Sequence, residues 1–459
     1  MLIILVASLS CTFGQTFTDT PTAATLTPIS ANTQTHSPSH TSPPTPRPTS
    51  IPPTPELSVN TSFSDNRNVL YLESDTARIG VDMRWGGAIR EIWYKGNNLV
   101  NNFDGGRLIG VAFYDSARPP ASDHPNDTGW NPTPSDMYDH LNRPLEYSVS
   151  DNVLYLKTRY LQWFPDDKGG GPDRKIPTHI IVETWMRFFT APDIIQVRYR
   201  LTNESEQSHA VHAQEFPFAY VRTPYNHFVT YDGGQPWTME AATIHRLSGG
   251  KDRSGYSIAS ERWAGWVDET GSGLLLWAPQ SYPNVGYKYF ANPGAPENPT
   301  LYLQPRAFLE IGPGAEIETE AFLFLGTWQD SRKDIYELKE SFSFPDIMPP
   351  FGIIDSPAEG DNVSGSVSIS GWAIDDRRVN DIEVLVDGKF AGKARYGLSR
   401  PDVADVYPGL PGEPDFGFNL QVDTRTLSNG KHEIGVSAVD QAGNRSRLIP
   451  RSVLITVEN

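Results

Sequence analysis

Only one of the 459 residues is a cysteine, Cys11. A lone thiol forms no internal disulfide, and no second Cys offers a metal partner. Positive charge is also in short supply: 38 Lys and Arg stand against 55 Asp and Glu, a formal net charge of -17. Nucleic-acid binders draw most of their affinity from a basic patch, so that class of partner is excluded. No apolar run reaches bilayer-spanning length, residues 1–10 included. Amphipathic helices are scarce too. The best candidate is residues 331–341, with Ile335 and Leu338 on one face.

Cys11 closes the apolar run and opens a tract, residues 12–56, built mainly from Thr, Ser and Pro. Such a tract buries too little apolar surface to offset its ordering entropy, so it is expected to be a disordered linker that acts as a stalk. The run ending in Cys11 resembles a bacterial lipoprotein signal, in which the cysteine is lipidated and becomes the first mature residue. Ser8 stands where that pattern has a branched aliphatic residue, and no Lys or Arg precedes the run. The resemblance implies an extracytoplasmic lipoprotein whose contact with the membrane is the lipid alone. A cleaved, freely secreted protein is the alternative.

From residue 57 to 345 the chain reads as short strands between Gly, Pro, Asn and Asp turns, for example 77–82, 153–161, 179–185, 194–201, 210–220, 273–278 and 317–325. Strands in that number without helices predict an all-β fold, one large two-sheet sandwich. Pro345, Pro349 and Pro350 mark a boundary, and residues 351–459 form a smaller β unit. There Ile382, Val384 and Val386 alternate with polar residues and stop at Asp387-Gly388, a hairpin signal. Several short strands in a unit of this size fit an immunoglobulin-like sandwich.

This C-terminal unit resembles bacterial immunoglobulin-like modules. The resemblance rests on Gly371-Trp372-Ala373-Ile374-Asp375, Val386-Asp387-Gly388, Tyr396-Gly397-Leu398-Ser399-Arg400-Pro401-Asp402 and Asp440-Gln441-Ala442-Gly443-Asn444. It implies a spacer or a carbohydrate-binding accessory. Asp375, Asp376 and Asp440 have the oxygen donors calcium takes, but Asx residues at turns usually cap the backbone, and no metal is expected.

The central region is similar to the galactose-mutarotase-like supersandwich of aldose epimerases, glycoside hydrolases and polysaccharide lyases. The residues are Gly86-Gly87-Ala88-Ile89-Arg90-Glu91-Ile92, Phe103-Asp104-Gly105-Gly106-Arg107, Gly129-Trp130-Asn131-Pro132 and Gln214-Glu215-Phe216-Pro217. The Asn-His pair and Val-Tyr-Thr motif of epimerases are missing, so the resemblance implies carbohydrate chemistry without implying epimerisation. It implies no cofactor.

Period-two alternation puts His179, Glu183 and Trp185 on one strand face, with Ile180, Val182 and Met186 on the other. An imidazole, a carboxylate and an indole together suit a sugar cleft, or a solvent-facing strand with a stray Trp. In the second cluster, His212 and Gln214 share a face and Glu215 points away from it unless a bulge re-aims it. Glu215 is the expected catalytic acid, with Glu183 and His212 as partners. Glycoside hydrolysis needs two carboxyl groups about 5 to 9.5 Å apart, and a simple meander would place these two strands about 10 Å apart. Asp104, Arg107, Trp130, Asn131, Arg159 and Trp163 are the remaining substrate-binding candidates. Arg159 alternates with Lys157 and Tyr155, and such cations would hold a uronate or sulfate. An Asp104–Arg107 ion pair pinning a tight turn is the structural alternative. The expected function is a glycoside hydrolase or polysaccharide lyase, with a non-catalytic surface glycan-binding or adhesion protein as the alternative.

Overall fold

Residues 58–64, 66–115, 129–246, 253–290, 300–407 and 409–459 are described by a computed structural model. Cys11 and the tract that follows it lie outside the described residues.

In Pro177–Phe189 alternation sorts the side chains cleanly. Ile180, Val182 and Met186 are buried in the inter-sheet core, while His179, Glu183, Trp185 and Arg187 face away from it. The same rule repeats along Val153–Gln162 and Ala191–Asn203, which flank this strand on either side. Together they belong to a ten-stranded antiparallel sheet that also holds Glu316–Thr327, Ser272–Trp277, Trp263–Val267 and His227–Thr230. A second ten-stranded sheet packs against it. Its centre runs Ala88–Tyr94, Ile109–Ala112, His209–Val221, Thr300–Ile311 and Asn284–Phe290. We call this the first sheet, since it opens the chain, and the other the second sheet. One continuous core joins them, from Leu72 and Ile92 to Val197, Leu303 and Leu323. Burying each such side chain contributes about 1.5–3 kcal/mol. The all-β, two-sheet expectation therefore describes the molecule.

The simple meander does not. Pro177–Phe189 and Ala191–Asn203 are hairpin partners within the second sheet, but His209–Val221 lies in the first sheet, between Ile109–Ala112 and Thr300–Ile311. The short segment 204–208 therefore carries the chain across the sandwich. Asn203 secures the crossing by donating from Nδ2 to the carbonyls of Gln207 and Gly312. A turn this short is as compatible with a hairpin as with an arch, and only the long-range partners distinguish the two.

The helix Trp328–Ser341 begins three residues earlier than the pattern predicts, because the Thr327 hydroxyl caps it by accepting from Asp330 N. Ile335 and Leu338 seal part of the second sheet's outer face against Trp263, Trp277, Phe322 and Phe324. Beneath the helix, Arg332 and Glu261 form a buried ion pair of 2.8 Å, with Trp263 Nε1 donating to the same carboxylate.

The C-terminal unit is a second sandwich. A four-stranded sheet of Phe351–Ser356, Ser366–Ile374, Gly417–Asp423 and Arg395–Leu398 faces a six-stranded sheet centred on Gly430–Asp440 and Val379–Val386. Asp387-Gly388 forms the expected two-residue hairpin; both residues have positive φ, 51° and 73°, which suits glycine at the second position. Phe351 stacks on Phe308 of the large sandwich at 4.7 Å and meets Trp372 edge-on, so one aromatic ring packs against both units.

Candidate active site

Glu215 sits where the strand His209–Val221 is irregular. Its register against both neighbours shifts immediately after it, so a bulge aims the side chain to the outer face of the first sheet. There it meets Ala112, Phe218 and Tyr302, a small cluster separate from the inter-sheet core, with Tyr114 and Tyr220 packed against it. Glu215 is 7% exposed and Tyr302 2%. The Tyr302 hydroxyl lies between Glu215 Oε1 and Gln304 Oε1. Tyr114 also bonds to Glu215 through its hydroxyl.

One phenolic proton cannot serve two acceptor oxygens. Tyr302 therefore donates to Glu215 Oε1, and turning the Gln304 amide so that its NH2 faces the phenol oxygen satisfies the other contact. Burial pushes the Glu215 carboxyl up from its ordinary value. The hydroxyls of Tyr302 and Tyr114 and the charges of Lys288 and Arg306 oppose that shift only in part. Burial likewise raises Tyr114 and Tyr302 well above the usual phenol range, so both act as neutral donors.

Two cations flank the cluster. Lys288 Nζ lies 5.1 Å from the Tyr302 ring centre, and the Arg306 guanidinium is 4.4 Å from that of Tyr256 and 4.7 Å from that of Phe308. Among the described residues neither is ion-paired with a carboxylate, and Arg306 Nε is buried without a partner. His212, upstream on the same strand, has its ring 5.6 Å from that of Tyr114. Its Nδ1 is 3.2 Å from the Ala213 carbonyl, which fixes the proton there and leaves Nε2 as the basic nitrogen. Burial lowers its pKa and keeps the ring neutral.

Other expected residues gather at the same end in supporting positions. Gln214 does not face a ligand: its amide clasps the backbone N–H and carbonyl of Tyr114, each at 2.8 Å. Asn131 is buried, donates to the Phe113 carbonyl and also bonds the Tyr114 hydroxyl. These two amides hold Tyr114 against Glu215. Trp130 stacks on His209 at 3.5 Å, and His209 Nδ1 is 2.7 Å from Asp115. Asp104 and Arg107 form the turn-pinning pair at 3.6 Å, near enough to Tyr220 to act on its charge. The Trp163 ring fills the space above Gly106 in that turn.

The remaining candidates are elsewhere. Glu183, Trp185, His179 and Arg159 lie on the outer face of the second sheet, with the whole core between them and Glu215. Glu183 accepts from Tyr155 at 2.7 Å and lies 3.6 Å from Arg200, which also pairs with Glu318. Trp185 is covered by the Arg198 guanidinium at 4.3 Å, and Arg159 is paired with Glu204. The expected pairing of Glu183 with Glu215 is thus corrected, because the sheet crossing at 204–208 separates them. Sequence reasoning missed Tyr114, Lys288, Tyr302, Gln304 and Arg306. A signal was available in the alternation of Tyr302, Gln304 and Arg306 along one strand face, the pattern that drew attention to His179–Trp185.

A family model described as a bacterial Ig domain matches residues 350–436, and the C-terminal unit is such a domain. No curated protein matches the sequence. Among solved structures, the chain is similar to a protein from Synechocystis sp. PCC 6803 at 12% identity and TM-score 0.37, over 61% of this chain and 99% of that one. It is similar to a galactose mutarotase-like protein from Lactobacillus casei ATCC 334 at 12% identity and TM-score 0.36, over 56% and 99%. A polysaccharide lyase matches at 11% identity and TM-score 0.30, over 84% of this chain and 47% of that one. Identities this low place no residue of this chain in a role.

Proposed function

We propose that this protein is an extracytoplasmic carbohydrate-active enzyme that cleaves an acidic polysaccharide by β-elimination at the Glu215 site. One observation carries the reading: a buried carboxyl that burial pushes up lies near two cations, Lys288 and Arg306, that form no ion pair with a carboxylate among the described residues. A hydrolase needs a second carboxylate across the scissile bond, and Glu183 is on the other sheet. A lyase needs instead a group that neutralises the substrate's carboxylate, a base and an acid.

Arg306 and Lys288 would bind the uronate carboxylate and stabilise the charge that develops as its α-carbon loses a proton. Neutral His212 would take that proton at Nε2. The electron pair of the broken C5–H bond forms the C4–C5 double bond, the C4–O bond breaks, and Glu215 protonates the departing oxygen. The neutral hydroxyls of Tyr114 and Tyr302 keep the acid oriented.

Among the described residues no helix is long and apolar enough to cross a membrane. Export with a lipid on Cys11 accounts for the apolar run and the Thr/Ser/Pro tract; Cys11→Ala should abolish fatty-acid incorporation in a bacterial host, and unchanged incorporation would sink that part of the reading. The enzymatic part is tested by incubating the protein with uronate polysaccharides and following the ultraviolet absorbance of an unsaturated uronate product. Saturated products would mean hydrolysis, and binding without any product would turn the reading to a glycan-binding protein.

A further inference from the structure

Asp346 lies in the connector between the two sandwiches, and Asp375 and Asp376 follow the strand Ser366–Ile374 at the edge of the immunoglobulin-like unit. One oxygen from each lies within 4.8 Å of the others. Asp375 is 1% exposed and Asp376 5%. Acidic residues that meet by accident on a surface are solvated; Asp375 and Asp376 are buried and Asp346 is half-buried.

Each of the three carboxylates uses one oxygen for a fixed protein bond and leaves the other bare. Asp375 Oδ1 accepts from the backbone N–H groups of Arg377 and Arg378 at 2.9 and 2.7 Å. Asp376 Oδ2 accepts from Arg262 at 2.9 Å, and Asp346 Oδ1 from Met348 N at 3.1 Å. The remaining oxygens, Asp375 Oδ2, Asp376 Oδ1 and Asp346 Oδ2, are buried and have no hydrogen-bond partner. A buried carboxylate oxygen without a partner is costly, and each of these three neighbouring carboxylates carries one. Burial and mutual repulsion push the Asp375 carboxyl up to about 7 and that of Asp346 to about 6.

We propose that Asp346, Asp375 and Asp376 bind a calcium ion that clamps the immunoglobulin-like unit onto the large sandwich. The donors are all hard oxygens, with no imidazole or thiolate among them, as calcium requires. Calcium–oxygen bonds run about 2.3–2.6 Å, so ligands on opposite sides of the ion stand about 4.8 Å apart. One oxygen of each carboxylate lies close enough to the others for a single hard cation to reach all three, and a site of three protein carboxylates suits calcium, whereas magnesium usually keeps several waters and takes one or two carboxylates. Asp440, which the sequence offers as a third ligand, is engaged instead by the backbone and side-chain N–H groups of Asn444, and Asp346 from the connector takes its place. The site lies at a seam already held by polar contacts. Arg262 of the large sandwich bonds Asp376, Asn444 Nδ2 donates to the Asp346 carbonyl, and Tyr282 donates to the Pro349 carbonyl. An ion here would tie connector and module to one point.

The test uses the whole chain. After exhaustive dialysis against EDTA, calcium is added back while the melting temperature is followed, and terbium luminescence is titrated in parallel, since Tyr282 lies close enough to feel these carboxylates. The expected result is one ion per chain and a rise of about 3 °C at a hundredfold excess over Kd, reversed by EDTA. Asp375→Asn and Asp346→Asn should each weaken binding tenfold or more. Should either variant fail to fold, the titration of the unmodified chain decides alone. Equal melting temperatures in calcium and EDTA with no terbium emission would overturn the site, and an equal response to magnesium would overturn the choice of ion.

Discussion

On the outer face of the first sheet, Glu215 is 7% exposed and touches tyrosine hydroxyls, with Lys288 and Arg306 nearby and in no ion pair among the described residues. On the outer face of the second, Glu183 has a more open side chain, 16% exposed, and joins a ladder in which Arg200 is shared with Glu318. Both faces present carboxylates, arginines and aromatic rings on alternate strand positions. They differ in how the carboxylate is held. The second face pairs Arg159 with Glu204 and Arg200 with Glu183 and Glu318, as a solvated β-surface does with cross-strand pairs, although Arg198 Nε, like Arg306 Nε, is buried without a partner. The first holds a buried carboxyl near two cations that are in no ion pair among the described residues, which is the condition that favours an anionic ligand. Polar alternation is thus a poor guide to a site, and burial of the carboxyl a better one.

The comparison breaks most sharply at the two glutamates. Glu215→Gln keeps volume and removes the transferable proton, so turnover on a cleaved polysaccharide should fall by about two orders of magnitude or more with the fold intact. Full activity in that variant would remove Glu215 from the mechanism. Next in size, Arg306→Gln should raise KM for a uronate polymer about tenfold, with a smaller loss in kcat, through loss of a charge-assisted contact. An unchanged KM would show that Arg306 only packs on Tyr256 and Phe308. Glu183→Gln and Trp185→Ala on the second sheet should leave kcat/KM within about twofold, because surface ion pairs and exposed aromatic contacts contribute about 0–1 kcal/mol to stability and nothing to the chemistry here. A large loss from either would restore the second sheet as the working face.

The smallest expected effect is a pH dependence. Burial raises Glu215 above its ordinary 4.5, so in the window just above that value the folded chain holds a proton the unfolded chain has released. Wild-type stability should therefore decline relative to Glu215→Gln as pH rises through the window. Paired thermal melts at pH 4.5 and pH 8 read the difference directly. The opposite trend would mean that Lys288 and Arg306 hold the carboxylate ionised.

Much of the fold was legible before any coordinates. The strand expected at 194–201 extends over Ala191–Asn203, and the Asp387-Gly388 hairpin closes as its composition demands. Within the site, Glu215 and His212 stood out by residue type, whereas Tyr302, Gln304 and Arg306 did not, because a tyrosine on a strand looks like core until its neighbours are known. The aspartates after Gly371-Trp372-Ala373-Ile374 read as turn caps, and Asp375 does cap the backbone through Oδ1. What escaped notice was the second oxygen, which has meaning only beside Asp346.

By itself the sequence determined the local structure: which segments are strands, which side of each is apolar, where the turns fall, and that two β units follow one another. These are properties of a few neighbouring residues, set by period-two burial and turn chemistry. The tertiary structure alone decided which strands share a sheet. The segment 204–208 spans the sandwich rather than closing a hairpin, and that one crossing sends Glu183 and Glu215 to opposite outer faces. Pairing between sheets depends on contacts far apart in the chain, such as Glu215 with Tyr302 and Asp346 with Asp375. Their juxtaposition comes from packing the whole core, and no local pattern encodes it.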